Sequence, residues 1–243
     1  MADPRMTPAP QGYVPHLGES RQYLRDIVLG VNDGLVSTFL LVAGVVGGGM
    51  TATQVLLTGI AGAVAGMVSM GAGEYIATKS QEQVFNAEME LEIEHLANHR
   101  DHERQELRDM FGDMGLDGDK LETVVRIIDG NDDVMLGVMA GLEFGVVATE
   151  RRNPWLAAAT AGGLFLLGAL PSVVPFGIFD DTAVALTVAA VLSGAALFVV
   201  GAGKTVMTKT NPFVSGFENL MIGLIGGGIS FSIGRLVESL IST

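Results

Sequence analysis

Five apolar stretches divide this chain of 243 residues, and each is long enough to cross a bilayer. About 30 Å of hydrocarbon crossed at about 1.5 Å per residue takes roughly 20 mostly apolar residues in a helix. The stretches run from about 27 to 49, 55 to 78, 155 to 176, 183 to 203 and 213 to 234, and the short polar turn at 51–54 makes the first two a helical hairpin. Backbone groups in lipid must be satisfied within the protein, so the expected fold class is all-α, built on a five-helix transmembrane bundle. Charged residues are 17 % of the chain and hydrophobic ones 49 %, too apolar for an ordinary soluble surface.

Between the second and third stretches the composition inverts. Seventeen of the twenty-seven Asp and Glu lie between Ser80 and Glu143. The expected organisation is an N-terminal arm (1–24), a transmembrane hairpin (25–79), an acidic helical domain (80–150) and three further spans (151–243). The proline-free run after Ser80 predicts one long helix or two stacked ones stopped by Gly115, followed by a helix from about Asp119 to Phe144. Thirteen of the fourteen Lys and Arg precede span one, lie between spans two and three or lie between spans four and five; the exception is Arg235. That bias predicts a cytoplasmic N-terminus and insert and a C-terminus on the opposite side. The polar residues before span one, and Asp33 within it, argue against a cleavable signal, and the compact chain is expected in a prokaryotic plasma membrane. A net charge of −13 disfavours nucleic acid, and the absence of cysteine excludes disulfides, thiolate nucleophiles and Cys-ligated metal.

Within the insert, Glu92, His95, His99, His102, Glu103 and Glu106 follow one another at steps of three, four, three, one and three, which forms a continuous stripe on a helix. Carboxylates mixed with imidazoles suit Fe²⁺, Mn²⁺ or Zn²⁺, whereas carboxylates alone suit Ca²⁺ or Mg²⁺. A solvated acidic face needs no ligand, and spacing alone leaves that reading open. Against it, Arg100, Arg104 and Arg108 recur on a different face, leaving the acids to repel one another unless a cation intervenes. Glu92 and His95 form one Glu-x-x-His element, but a di-iron bundle needs two.

The spans carry few polar groups. Asp33, flanked by Asn32 and Gly34, lies about seven residues into span one, where an ionisable side chain must face a cavity, a partner or the interface. Met67 and Met70 lie one turn apart on span two, as packing residues or soft ligands, and Glu74 and Glu218 lie nearer span ends. Gly44 and Gly48, Gly62 and Gly66, and Gly223 and Gly227 have the spacing that lets helix backbones approach closely.

RDIVLGVNDGLVSTF (Arg25–Phe39), SMGAGEYIATKSQ (Ser69–Gln81), the acidic insert and VMAGLEFGV (Val138–Val146) together resemble the vacuolar iron transporter family of proton-coupled divalent-metal transporters, in matching order and spacing. The resemblance implies a homodimer whose first helices line a translocation path, beneath a cytoplasmic metal-binding domain. It places the path acid on Asp33 and the path methionine on Met70, with domain ligands on Glu92, Glu103, Glu106, Met139 and Glu143. His95 stands where iron-transporting relatives have glutamate, Gly62 where some have a membrane glutamate, and Ala140 where a second methionine would follow Met139. His95 keeps coordination available in its neutral form, with His99 and His102 as secondary candidates, and Glu74 is a substitute path acid.

The expected function is export of Fe²⁺, with Mn²⁺ less preferred and Co²⁺ or Zn²⁺ as further candidates, in exchange for protons. No prosthetic group is expected, and the partners are metal ions, protons, the bilayer and a second copy of the chain. The alternative is a membrane-anchored metal buffer or sensor without flux. A membrane enzyme is disfavoured because the spans hold no His or Cys.

Overall fold

The computed structural model describes residues 20–143 and 152–242, with side chains from residue 26 onward apart from Met207. Among the described residues all regular structure is helical, and there is no strand. The helices are α1 (Ser20–Gly47), α2 (Ala52–Asn98), α3 (Arg100–Asp113), α4 (Gly118–Asp129), α5 (Asp132–Glu143), α6 (Pro154–Val173), α7 (Thr182–Gly203), α8 (Thr205–Thr208) and α9 (Pro212–Ile241), with a 3₁₀ turn at Val174–Gly177. Five are long and apolar enough to cross a membrane: α1, α2, α6 with its 3₁₀ turn, α7 and α9. Large apolar side chains such as Leu57, Val68, Val191, Val199 and Ile233 lie exposed along them, as lipid-facing residues do.

Local chemistry sets the boundaries. At the hairpin turn Thr51 and Gln54 form a reciprocal cap: the Thr51 amide donates to Gln54 Oε1 at 3.0 Å and the Gln54 amide to Thr51 Oγ1 at 3.4 Å. Asp181 and Asn211 cap α7 and α9 in the same sense. Gly115, with φ +95°, ends α3 where the sequence expected a stop. Two expectations are corrected. The 55–78 stretch is the first half of a helix of 47 residues, because no proline interrupts it and many of the polar residues that follow, Gln81, Glu82, Gln83, Glu88 and Glu90 among them, are good helix formers. The single helix expected from Asp119 to Phe144 is two: α4 ends at Asp129, and Asn131 restarts the chain by accepting from the Val134 amide at 3.2 Å. Phe144 lies outside the described residues.

The chain forms two compact units. The first comprises residues up to Ala63 together with Leu164 onward. Here α1 packs on α7 and α9, which also pack on each other, over a core of Val42, Ala52, Val55, Phe176, Ala185 and Ala189. Backbones come close enough that a Cβ on Gly234 would overlap the carbonyl of Gly44, and one on Gly34 that of Phe165. Gly44 and Gly223 of the glycine pairs thus serve packing within the chain, against α9 and α7 respectively.

The second unit, Val64–Gly163, holds the rest of α2, then α3, α4 and α5 and the start of α6. Leu96, Leu107, Val125, Ile128, Met135 and Met139 form its buried apolar cluster. Asp129 fastens α4 to α3: Arg100 Nε donates to Oδ1 at 2.8 Å and Arg104 Nε to Oδ2 at 2.7 Å, while Arg108 pairs with Glu122 at 2.9 Å. The three arginines thus face α4. Burial raises the Asp129 carboxyl, but the Arg100 and Arg104 hydrogen bonds outweigh it and hold the group below its usual range. That stabilisation exists at neutral pH and is lost as pH falls through the lowered value. Asp129→Ala is therefore expected to lower the melting temperature at pH 7 by the equivalent of about 1 kcal/mol, the pair being partly exposed. The difference from wild type should shrink in acid, as measured by circular-dichroism melts.

Candidate metal centre

The chain turns at His99 (φ −133°, ψ 31°) between α2 and α3, and this turn brings one face of α3 towards the end of α2. Glu103 and Leu107, one turn apart, occupy the buried face of α3. Leu107 enters the apolar cluster with Leu96; Glu103, only 1 % exposed, is buried with a carboxylate that the apolar core cannot satisfy.

Two groups of ligand-capable atoms result, each with its members within 4.8 Å of one another: Glu92, His95 and Glu103, and Glu103, Glu106 and Glu143. Glu103 belongs to both. Three helices contribute, α2, α3 and α5. Among the described residues, both Glu103 oxygens and Oε1 of Glu92 are buried without a hydrogen-bond partner. His95 Nδ1 stands 3.4 Å from Glu103 Oε1, longer than an ordinary N–H···O hydrogen bond. Unpartnered buried carboxylate oxygens cost several kcal/mol and are retained where a cation completes them.

The titration of the group carries the same signature. Burial first, then the charges of Glu103, Glu143 and Glu106, push the Glu92 carboxyl up to about 7 from an ordinary 4.5. Partial loss of water and then Glu106 and Glu103 raise the Glu143 carboxyl too, offset in part by His95. Glu92 lies well beyond the apolar half of α2, which ends near Thr78.

The other residues singled out from the sequence fall as follows. Met139 is fully buried in the apolar cluster, one turn before Glu143 on α5. His102 Nε2 meets Glu106 Oε1 at 3.5 Å from the exposed side, and His99 sets its ring edge-on to His95 with centroids 6.2 Å apart; neither enters a cluster. Met70 is half-buried on α2. Glu74 accepts from Thr78 Oγ1 at 3.4 Å and pairs with Arg152 at 3.6 Å, a partner that no local spacing could reveal. Asp33 belongs to the other unit and lies on the exposed face of α1. Its neighbour Asn32 accepts a hydrogen bond from Asn219, a residue with no sequence signal of its own.

Residues 24–235 match the VIT family. The chain belongs to the VIT family. Vacuolar iron transporter 2 of Oryza sativa subsp. japonica is 31 % identical over 90 % of this chain and 89 % of its own length. Vacuolar iron transporter 1 of Arabidopsis thaliana is 30 % identical over 89 % and 87 %, and the vacuolar iron transporter of Plasmodium falciparum 28 % over 90 % and 84 %. The relatives' names are those of transporters and not of enzymes. They are eukaryotic and named for the vacuole, so they lend nothing to the expected prokaryotic plasma membrane.

Two outcomes follow from the cluster's electrostatics. An acid raised above its unfolded value binds in the folded chain a proton that it has released in the unfolded one, so stability falls as pH rises from about 4.5 to about 7. Without metal, the protein's melting temperature is expected to drop between pH 5 and pH 8, and Mn²⁺ to restore it far more at pH 8; melts across that range with and without the ion check this. Glu103→Gln removes the charge shared by both groups. It should lessen the metal-free pH dependence, burial of Glu92 being left in place, and lower Mn²⁺ affinity by at least about tenfold in calorimetric titration, since it takes an ionic ligand from both sets.

Proposed function

We propose that this VIT-family chain is a divalent-metal transporter for Fe²⁺ and, less readily, Mn²⁺, working as a homodimer that exports metal from the cytoplasm in exchange for protons. The observation that carries this reading is the pair of acidic clusters joined at Glu103, with three orphaned carboxylate oxygens, in a chain with five helices fit to cross a membrane. The names of its relatives supply the substrate class, iron.

In this reading the acidic domain faces the cytoplasm and collects the ion. Glu92, His95, Glu103, Glu106 and Glu143 provide hard oxygen donors and one imidazole, and Met139 a thioether on the buried side. That mixture favours a transition metal over Mg²⁺ or Ca²⁺. The ion then passes along α1, where Asp33 binds it when ionised and lets it go when protonated from the far side. One carboxylate thereby couples the two flows. Met70 adds a soft contact, and Glu74 must part from Arg152 before it can meet an ion.

Sealed proteoliposomes holding the purified protein test the reading, with reduced Fe²⁺ outside and an imposed pH gradient. Fe²⁺ should enter, the lumen should lose protons, and Asp33→Ala should cut flux by about a hundredfold or more while leaving metal binding by the acidic domain intact. Metal binding without flux under either gradient would instead make the chain a buffer or sensor.

A further inference from the structure

Asn219 of α9 is 9 % exposed among apolar helices, a costly position for an amide unless its hydrogens are used. Both are: Nδ2 donates to Asn32 Oδ1 on α1 at 2.8 Å and to the Leu197 carbonyl on α7 at 2.8 Å. Three helices therefore converge on one side chain. Its freedom to shift is small, because α7 passes so close that a Cβ on Gly201 would stand 2.7 Å from the Asn219 Cβ. Packing alone does not ask for an amide here, since an apolar side chain of the same branched outline, such as the larger leucine, would leave no polar group to satisfy among these helices.

The residues of α1 around this contact are held in a definite rotation. Asn32 is half-buried towards α9; Gly34 is buried where its backbone abuts that of Phe165; Asp33, between them, is exposed. Successive helical residues are about 100° apart, so fixing 32 and 34 fixes where 33 points. Two turns on, Ser230 Oγ donates to the Leu40 carbonyl at 2.6 Å, a second polar tie between α9 and α1.

We infer that Asn219 is a positioning residue for transport: by holding Asn32 against α9 and α7 it sets the rotation of α1 about its own axis, and so keeps Asp33 on the face turned away from the bundle. This rests on the role proposed for Asp33 above. Interhelical hydrogen bonds in membranes contribute only modestly to stability on average, so loss of this one should act on rotation and transport more than on folding.

The chain has no cysteine, which allows a direct readout of rotation. Ser37, one turn beyond Asp33 on the same face, is exposed, whereas its neighbour Thr38 is 2 % exposed. Ser37→Cys and Thr38→Cys are introduced singly, in the otherwise unaltered chain and with Asn219→Leu, and treated in proteoliposomes with a membrane-impermeant thiol reagent. Cys at 37 should label and Cys at 38 should not. Asn219→Leu should shift labelling from 37 towards 38 and lower Fe²⁺ flux at least about tenfold, as displacing a reacting group by an ångström does. Metal binding by the acidic domain should be unchanged.

Asn32→Leu breaks the same bond while leaving α7 against α9, and serves as the second variant should Asn219→Leu fold poorly. The two together should be no worse than either alone, the mark of a shared interaction. Wild-type flux in Asn219→Leu or Asn32→Leu, or reduced flux with unaltered labelling, overturns the inference. If Cys at 37 is unlabelled in the unaltered chain and Asp33→Ala transports normally, the transport role of α1 falls first, and this inference with it.

Discussion

The structure of the acidic unit depends on one burial that apolar packing cannot explain. Glu103 occupies a core position on α3, one turn before Leu107 on the same face, and among the described residues neither of its oxygens has a hydrogen-bond partner. Any chain that folded this way for stability alone would place leucine at 103, because a buried unpaired carboxylate costs more than the packing around it returns. The arginines that could neutralise it are committed elsewhere, Arg100 and Arg104 to Asp129 and Arg108 to Glu122. That commitment fixes α4 beneath α3 and leaves the Glu103 face without basic side chains of α3. Negative charge and rigidity are thus arranged together: the helices are held by one set of ion pairs, and that set takes up the α3 arginines that could otherwise neutralise the acidic clusters.

The first unit solves a different problem with different means. Its helices are apolar all round, so the hydrophobic effect gives no preferred rotation to any of them in lipid. Orientation comes instead from close backbone approach and a few hydrogen bonds. Gly34 against Phe165, Gly234 against Gly44, the buried Ser172 and Ser193 hydroxyls at 2.9 Å and the Asn219 amide each define a register that leucine and valine could not. An ionisable group at Asp33 makes such definition necessary, since a small rotation of α1 would trade its open face for an apolar one.

Much of this was legible in the sequence, for reasons that also explain what was not. Twenty-residue apolar runs announce spans whatever their packing, and a helical stripe of Glu92, His95, Glu103 and Glu106 survives as a cluster because the break at His99 leaves 103 and 106 on the side facing α2. The same break separates His99 and His102 from the stripe that periodicity gave them. Glu143 came from family resemblance and not from spacing, as it reaches the cluster only through the turns after α3 and α4. The unbroken helix through residue 80 was hidden because a change of composition looks like a boundary even where the backbone has none. Asn219 was illegible for a plainer reason: its partner is 187 residues away, and only the fold supplies that distance.

The length of α2 bears on how the proposed capture and transfer steps connect. Met70 and Glu92 lie on one unbroken helix, 22 residues apart, which at about 1.5 Å per residue is roughly 33 Å. Charges acting through solvent at physiological salt are screened over about 8 Å, and although Glu92 and Glu103 are themselves buried, this separation is several such lengths, so the field of the acidic clusters has little pull on an ion at Met70. In the proposed reading their electrostatic effect is local, raising cation occupancy at Glu103 and its neighbours. Delivery over the remaining distance must come from dissociation and recapture or from movement of the helices that carry the ligands. A centre tuned for this has to bind only moderately well. In that reading the combined negative charge of Glu92, Glu103, Glu106 and Glu143 would attract the ion, and sharing Glu103 between two sets would let one set weaken as the other fills.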